Sequence, residues 1–526
     1  MKNIIKFAFA AVIGTLLLGS CIKETFPNSS TATAEQVGAS ASALDASVKG
    51  IPAMMTQGYL IYGDQTSEMD MSYPYFMIAF AEMTGEMYPV GDSGYDHYQR
   101  NNTSKSFGPN TYEAYIPWRT LYKYIKAAND VIGAIDAESS SEVQLAYLGM
   151  AYAYRAFFYF MLTSMYEPVE NEYTDVSKVL GLTVPIITEK TTEEQAKNNP
   201  RVKHDDMITF ILGDLDKAEQ YLKDFTVASK IQPSIAVVYG IRAKVLMLDE
   251  KYAEAETYAR KAIDNSGCRP LTESEWENPN SGFNTVNDAW MWYATYSAEE
   301  MGNLCNFIGW MSPEAEWGYA SLTIPGIDKA LYDRIPDTDF RKHVFLDPDK
   351  TAYYEYKTCR DADWLDEAPD YTAIKFRPIG GNYTDYAEGG ASDIPLMRVE
   401  EMYYIEAEAK AHQDLAAGVA ALVNFVQTYR DPDYTFNPAT TAAFYDEYVF
   451  QKKIEFWGEG ISFHDNKRLK TGVYQDYDGT NAPGGNFLIN CDGIKPNMNF
   501  PIPTSEVQNN IALEGWNNPD PSDMIK

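Results

Sequence analysis

Histidine and cysteine are both scarce, five of each in 526 residues. The histidines stand at 97, 204, 343, 412 and 464, and no two have the spacing of a zinc-ligand pair. H-E-x-x-H metal chemistry is therefore excluded. Positive charge is also short: 43 Lys and Arg face 75 Asp and Glu, for a net charge of −32. That argues against nucleic acid, whose phosphates are held by clustered Lys and Arg, and against a polybasic membrane patch. There is no G-x-G-x-x-G and no Walker lysine motif; the glycine pairs at 380–381, 389–390 and 484–485 read as loops. Gly460-Ile461-Ser462-Phe463-His464 lacks the second glycine of a nucleophile elbow. What the chain does have is 39 Tyr, 24 Phe and 9 Trp. Its 45% hydrophobic and 22% charged residues are those of an ordinary globular protein with a large core.

The N-terminus reads as an export signal. Lys2 and Lys6 precede the apolar run 7–18, which is too short to span a bilayer needing about 20 residues. The run ends in Leu18-Gly19-Ser20-Cys21, a lipobox pattern. On that reading residues 1–20 are removed and Cys21 carries the lipid; a plain secretory leader with a chance cysteine is the alternative. Residues 21–47, rich in Ser, Thr and Ala, read as a tether. No second apolar stretch of 18 residues follows, so the remainder, 48–526, is expected as one domain held at a membrane by lipid alone. Cys268, Cys305, Cys359 and Cys491 allow three full disulfide pairings or none.

Helical periodicity dominates 112–264. Leu121, Ile125, Ala128, Ile132 and Ile135 form one stripe, Leu145 to Phe160 another, and Ile208 to Leu222 a third, with Asp205 or Asp206 as the expected N-cap. Helices from Pro233-Ser234 to about Asp249 and from Tyr252 to Asp264 resemble a tetratricopeptide pair, with Ala243, Ala255 and Ala262 at its close-packing positions. A further pair is expected over 398–429, and another helix over 445–457. Between the two sets, 265–394 loses periodicity apart from a short strand at 288–293, and 472–526 is again irregular. A long irregular insertion on a helical scaffold suggests a binding surface.

The candidate ligand contacts are aromatic. Trp and Tyr faces stack on sugar rings while neighbouring polar groups bond hydroxyls. Tyr152, Tyr159, Tyr239 and Tyr258 sit on packing stripes and Trp290 and Trp292 on the strand, so these read as core. Trp310, Trp317 and Tyr319 lie among Gly, Pro and Ser and are candidates for a binding loop. Tyr88, Tyr95 and Tyr98, with Arg100 and Asn101, form a second candidate loop. No carboxylate pair stands out as catalytic. The acidic run Asp361 to Asp370 departs from the EF-hand template, so it reads as a solvated loop, with structural calcium as the weaker alternative.

Several motifs then follow in order: Tyr115-x-x-Trp118-x-x-Leu121-Tyr122-x-x-Ile125-x-x-x-Asn129, Ala153-x-Arg155-Ala156-x-x-Tyr159, and Tyr166-Glu167-Pro168-Val169. Asp214-Leu215-x-x-Ala218, Asp337-Thr338-Asp339-Phe340-Arg341 and Pro395-Leu396-Met397-Arg398 continue the series, the last running on to Glu400-Glu401 and Glu406-Ala407-Glu408-Ala409. Glu455-Phe456-Trp457-Gly458-Glu459-Gly460 and Phe500-Pro501-Ile502-Pro503-x-x-Glu506 complete it. With the lipobox, this order resembles the SusD/RagB family of outer-membrane lipoproteins from Bacteroidetes. Glu167 stands where the family has Gly, and Lys452-Lys453 where it has Glu-Arg. The resemblance implies a mainly α fold, a tetratricopeptide-like scaffold over 112–264 and 395–460 with the variable ligand region at 265–394. It implies a non-catalytic, cofactor-free protein, lipid-anchored in the outer membrane and facing the exterior. Such a protein captures a glycan, or in RagB-like relatives a peptide, for a SusC-like TonB-dependent β-barrel transporter. A surface glycoside hydrolase is the alternative from another class.

Overall fold

Among the described residues the longer helices that precede the repeats are α1 (Ala41–Met55) and α2 (Tyr73–Met83). This computed structural model describes residues 37–522 apart from 39, 65, 91–98, 139, 299–305, 350–353 and 355–356. The leader, Cys21, Tyr95, Tyr98 and Cys305 thus lie outside the described residues. α1 overlaps the segment expected as tether. Ser40 caps it by accepting from the Ala43 N–H at 3.3 Å, and Leu44, Val48, Ile51 and Met55 form a buried stripe at helical spacing. The Ser/Ala composition concealed that stripe.

The scaffold is a stack of α3 (Tyr112–Ala134), α4 (Glu142–Tyr166), α5 (His204–Leu222), α6 (Ile235–Leu248), α7 (Tyr252–Ser266), α8 (Val399–Gln413) and α9 (Leu415–Tyr429). Each packs on its successor. α10 (Thr441–Glu455) and α11 (Ser462–Leu469) follow. Ala243, Ala255 and Ala262 are fully buried, as the repeat pattern requires. At Gly418 a Cβ would lie 2.3 Å from that of Ala411, so only glycine allows the α8–α9 approach. The N-cap of α5 is Lys203, with Asp205 and Asp206 in the first turn, where carboxylates favour the positive end of the helix dipole. No described helix is long and apolar enough to cross a membrane.

The irregular region leaves the stack after α7 and returns at α8, and since those two helices pack together the stack is unbroken. Among the described residues there are three two-stranded antiparallel sheets: β1 (Met87–Val90) with β3 (Ile324–Ile327) and β2 (Trp290–Thr295) with β4 (Asp393–Arg398) organise this region, and β5 (Val473–Tyr474) with β6 (Asn490–Cys491) lies in the C-terminal segment. Trp290 and Trp292 are fully buried, so the expected strand is present and its indoles are core. Cys268, Cys359 and Cys491 are free thiols.

The ordered motifs converge on buried ion networks. Arg398 reaches Glu459 at 2.9 Å, Glu400 at 3.1 Å and Glu455 at 3.2 Å. Arg430 reaches Glu455 at 2.7 Å and Glu400 at 3.0 Å, while Arg341 joins Asp339 at 2.6 Å and Glu455 at 3.1 Å. Lys375 completes the cluster on Glu459 at 2.7 Å. A second network joins Arg155 to Asp214 through two bonds of 2.7 and 2.8 Å, to Asn129 at 2.7 Å and to Glu189 at 2.8 Å. These residues hold α3, α4 and α5 in register, and the first set ties the variable region to α8 and α10.

Candidate functional site

The turn 306–321 is wound around two glycines. Asn306 caps the helix Phe307–Met311 by accepting from the Gly309 N–H at 2.7 Å. Gly318 rests on that helix so closely that a Cβ would lie 2.4 Å from the Gly309 carbonyl oxygen. Trp317 is thereby laid beside Gly309. All five residues of the helix are buried, including Trp310, which is 2% exposed. Tyr319 packs edge-on to Trp310 at 5.4 Å and is also buried. Of the three loop aromatics proposed from the sequence, Trp317 alone is more than marginally accessible, and its indole nitrogen is buried without a partner among the described residues. Its accessible ring surface is therefore carbon. Glycine and proline marked a tight turn here, and a tight turn buries as readily as it exposes.

The second proposed loop is anchored from the C-terminal segment. Tyr88 is fully buried in β1; its hydroxyl donates to Asp328 at 2.8 Å and also bonds Asn481. Tyr477 donates to the same Asp328 carboxylate at 3.2 Å. Burial pushes the Asp328 carboxyl and the Tyr88 hydroxyl above their ordinary values. Asn101 is 3% exposed, and its carbonyl accepts from Asn497 at 3.0 Å. Lys495 donates to Asn102 at 2.9 Å, and burial draws its ammonium down to about 7. Arg100 keeps 45% of its side chain exposed while its Nε donates to the buried Glu113 at 2.7 Å. Tyr88 and Asn101 are thus built into the frame, and Arg100 faces solvent. The described residues do not include Tyr95 and Tyr98.

A third cluster was missed by the sequence reading. Glu314 is fully buried and accepts from the Cys359 N–H at 2.7 Å, which fixes the chain leading into Arg360. The Arg360 guanidinium donates to the Glu314 carbonyl at 3.0 Å and pairs with Glu316 at 3.1 Å. It lies over the Tyr383 ring at 4.6 Å and the Trp364 ring at 5.7 Å. The Glu316 N–H donates to the Tyr383 carbonyl at 3.0 Å, which docks the third segment. Asp361, in the acidic run, caps the helix Ala362–Glu367 by accepting from the Trp364 N–H at 3.0 Å, and so aims that indole. No linear signal marks the cluster, because its members lie on three separated segments.

Among the described residues, one group has metal-ligand character: Glu273, Glu277 and His343, whose ligand atoms lie within 4.8 Å of one another. Its buried member is already engaged, with His343 on Glu277 at 2.7 Å and Lys357 on its other oxygen at 2.6 Å. That arrangement is an ion-pair cluster.

A helical-repeat scaffold that carries an aromatic, acid-rimmed loop surface defines a class of surface-binding protein. The family comparison makes this specific. Residues 55–247 match the family profile SusD-like_3, "Starch-binding associating with outer membrane". Residues 349–520 match the profile SusD_RagB, "SusD family". The chain belongs to the SusD-like family. No curated protein matches by sequence. Among solved structures, a SusD-like carbohydrate binding protein from Bacteroides vulgatus ATCC 8482 is 22% identical, with 89% of this chain and 96% of that chain covered and a TM-score of 0.71. A laminarin binding SusD-like protein is 17% identical over 91% and 98% of the two chains, TM-score 0.62. Surface glycan-binding protein A from Bacteroides thetaiotaomicron, in complex with laminarihexaose, is 15% identical over 91% and 99%, TM-score 0.63. These likenesses show the fold to be the helical SusD-like one.

Proposed function

We propose that this chain is a non-catalytic surface lipoprotein, anchored through Cys21, that captures a glycan and passes it to a SusC-like TonB-dependent transporter. The observation that carries the reading is membership in a family whose profile is described as starch-binding and outer-membrane-associating. The lipobox Leu18-Gly19-Ser20-Cys21 supports the anchor, and a net charge of −32 disfavours polyanionic ligands as a global field. Trp317 and Arg100, the described candidates with accessible side chains, are proposed to contact ligand. Isothermal titration of the mature protein against a polysaccharide panel tests the reading. Saturable binding to a polysaccharide supports it. Binding of peptides alone would replace it with peptide capture, and steady release of reducing ends would replace it with hydrolysis. Co-purification of a β-barrel with the native lipoprotein tests the partner.

A further inference from the structure

We infer that the surface formed by Trp364 and Tyr383 around Arg360, with Trp317 following Glu316 in the chain, is a binding platform for an uncharged glycan, and that it rejects uronate-rich or sulfated chains. The inference rests on the glycan-capture reading and names the site and ligand class within it.

The first argument is order before binding. Arg360 is fixed at both ends of its guanidinium, by the Glu314 carbonyl at 3.0 Å and by Glu316 at 3.1 Å. Its planar face holds the Tyr383 and Trp364 rings at 4.6 and 5.7 Å. Both rings keep accessible surface, as does Trp317 next to Glu316. Rings already immobilised lose little freedom when a sugar arrives, which favours affinity from a small contact area.

The second argument is charge. Over the segments 314–317, 357–364 and 382–388 the basic residues are Lys357 and Arg360. Lys357 is bound to Glu277 at 2.6 Å, and Arg360 is paired with Glu316. Neither offers a free cation to a ligand carboxylate or sulfate. Glu316, Asp361, Asp363, Asp385 and Glu388 are exposed on the same segments. Ionised carboxylates accept hydrogen bonds from sugar hydroxyls, and they repel an anionic chain. Arg360 thus serves as a clamp for the rings, with its charge neutralised by Glu316, and the surface left to the ligand is aromatic and acidic.

The test is affinity electrophoresis and titration of the mature protein with three neutral polysaccharides (laminarin, starch and mannan) and two polyanions (polygalacturonate and chondroitin sulfate). Wild type is expected to bind at least one neutral chain and neither polyanion. Tyr383→Ala and Trp364→Ala should each weaken neutral binding by roughly three- to tenfold. Trp364 also packs against the Leu346 and Leu365 cluster, so thermal melting accompanies that variant. Glu316→Gln avoids this problem because its side chain is 50% exposed. It removes the counter-charge of Arg360 and should admit polygalacturonate at low salt, with binding lost as ionic strength screens it. Neutral binding untouched in folded Tyr383→Ala and Trp364→Ala, wild-type binding of either polyanion, or continued exclusion of polygalacturonate by Glu316→Gln at low salt overturns this inference while leaving glycan capture standing. Absence of any polysaccharide binding overturns the glycan-capture reading as well.

Discussion

The Nε of Arg430 and the carboxylate of Glu455 meet at 2.7 Å with both side chains fully buried, and Arg341 and Arg398 reach the same carboxylate at 3.1 and 3.2 Å. Burial pushes the Glu455 carboxyl up, but the three guanidinium groups outweigh it and hold the group well below the usual range. Removing one partner of a buried ion pair leaves uncompensated charge and costs about 3–5 kcal/mol. Glu455→Gln is therefore expected to lower the urea midpoint sharply. The pH dependence has a definite sign: a depressed carboxyl contributes stability above its unfolded value that is lost as pH falls through the folded value. The variant should accordingly lose less stability than wild type on acidification. An unchanged urea midpoint would sink this account of the network.

Those arginines and glutamates also explain what was legible in the chain. Arg155, Asp214, Arg341, Arg398, Glu455 and Glu459 stood out as motif residues because burial of charge forces each to keep its partner. The repeat helices were legible because apolar residues recur at helical spacing. The site was much less so. Trp310 and Trp317 share a composition, yet Trp310 lies within a buried helix and Trp317 outside it. Tyr383, Trp364 and Glu316 come together only through the fold, and no local pattern announces such a juxtaposition.

Glu86 gives a second pH signature. Its carboxyl is fully buried beside Lys453 and close to the Gly458 N–H, and burial raises it to about 7. A raised carboxyl contributes stability that is whole below the unfolded value near 4.5 and is lost as pH rises through the folded value. The loss between pH 5 and 7 is on the order of 2 kcal/mol for a shift of this size. Glu86→Gln should therefore show a flatter stability profile over that window and exceed wild type at pH 8. Thermal melts at pH 5, 6, 7 and 8 read the difference, and equal slopes for the two proteins would refute it.

Trp310→Ala and Trp317→Ala should separate stability from binding. Trp310 is 2% exposed and packs on Tyr319, so its removal opens a cavity worth about 3–5 kcal/mol. Trp317 is half-buried, and its truncation should cost less stability. If Trp317 touches sugar, titration at a temperature where both variants are folded should show weaker binding for Trp317→Ala, by about 1 kcal/mol. Equal affinity for wild type and Trp317→Ala would remove this residue from the site.

Gly318→Ala tests how the turn positions Trp317. The backbone at 318 has an ordinary φ of −99°, so alanine carries no conformational penalty there. The obstacle is contact: the new Cβ would lie 2.4 Å from the Gly309 oxygen and 2.6 Å from its Cα. Both are backbone atoms of a buried helix and cannot swing aside. Overpacking of this kind costs about 1–3 kcal/mol, and relief requires the 316–321 segment to lift, carrying Trp317 with it. Gly213→Ala is the matched control. It lies within α5 with nothing within 4 Å of its Cβ, so it should stabilise by about 0.5–1 kcal/mol. Gly318→Ala should thus melt below wild type with shifted tryptophan fluorescence, and Gly213→Ala above it with unchanged fluorescence. A Gly318→Ala variant as stable as wild type, with the same emission, would show that the turn does not depend on the close approach of the two glycines.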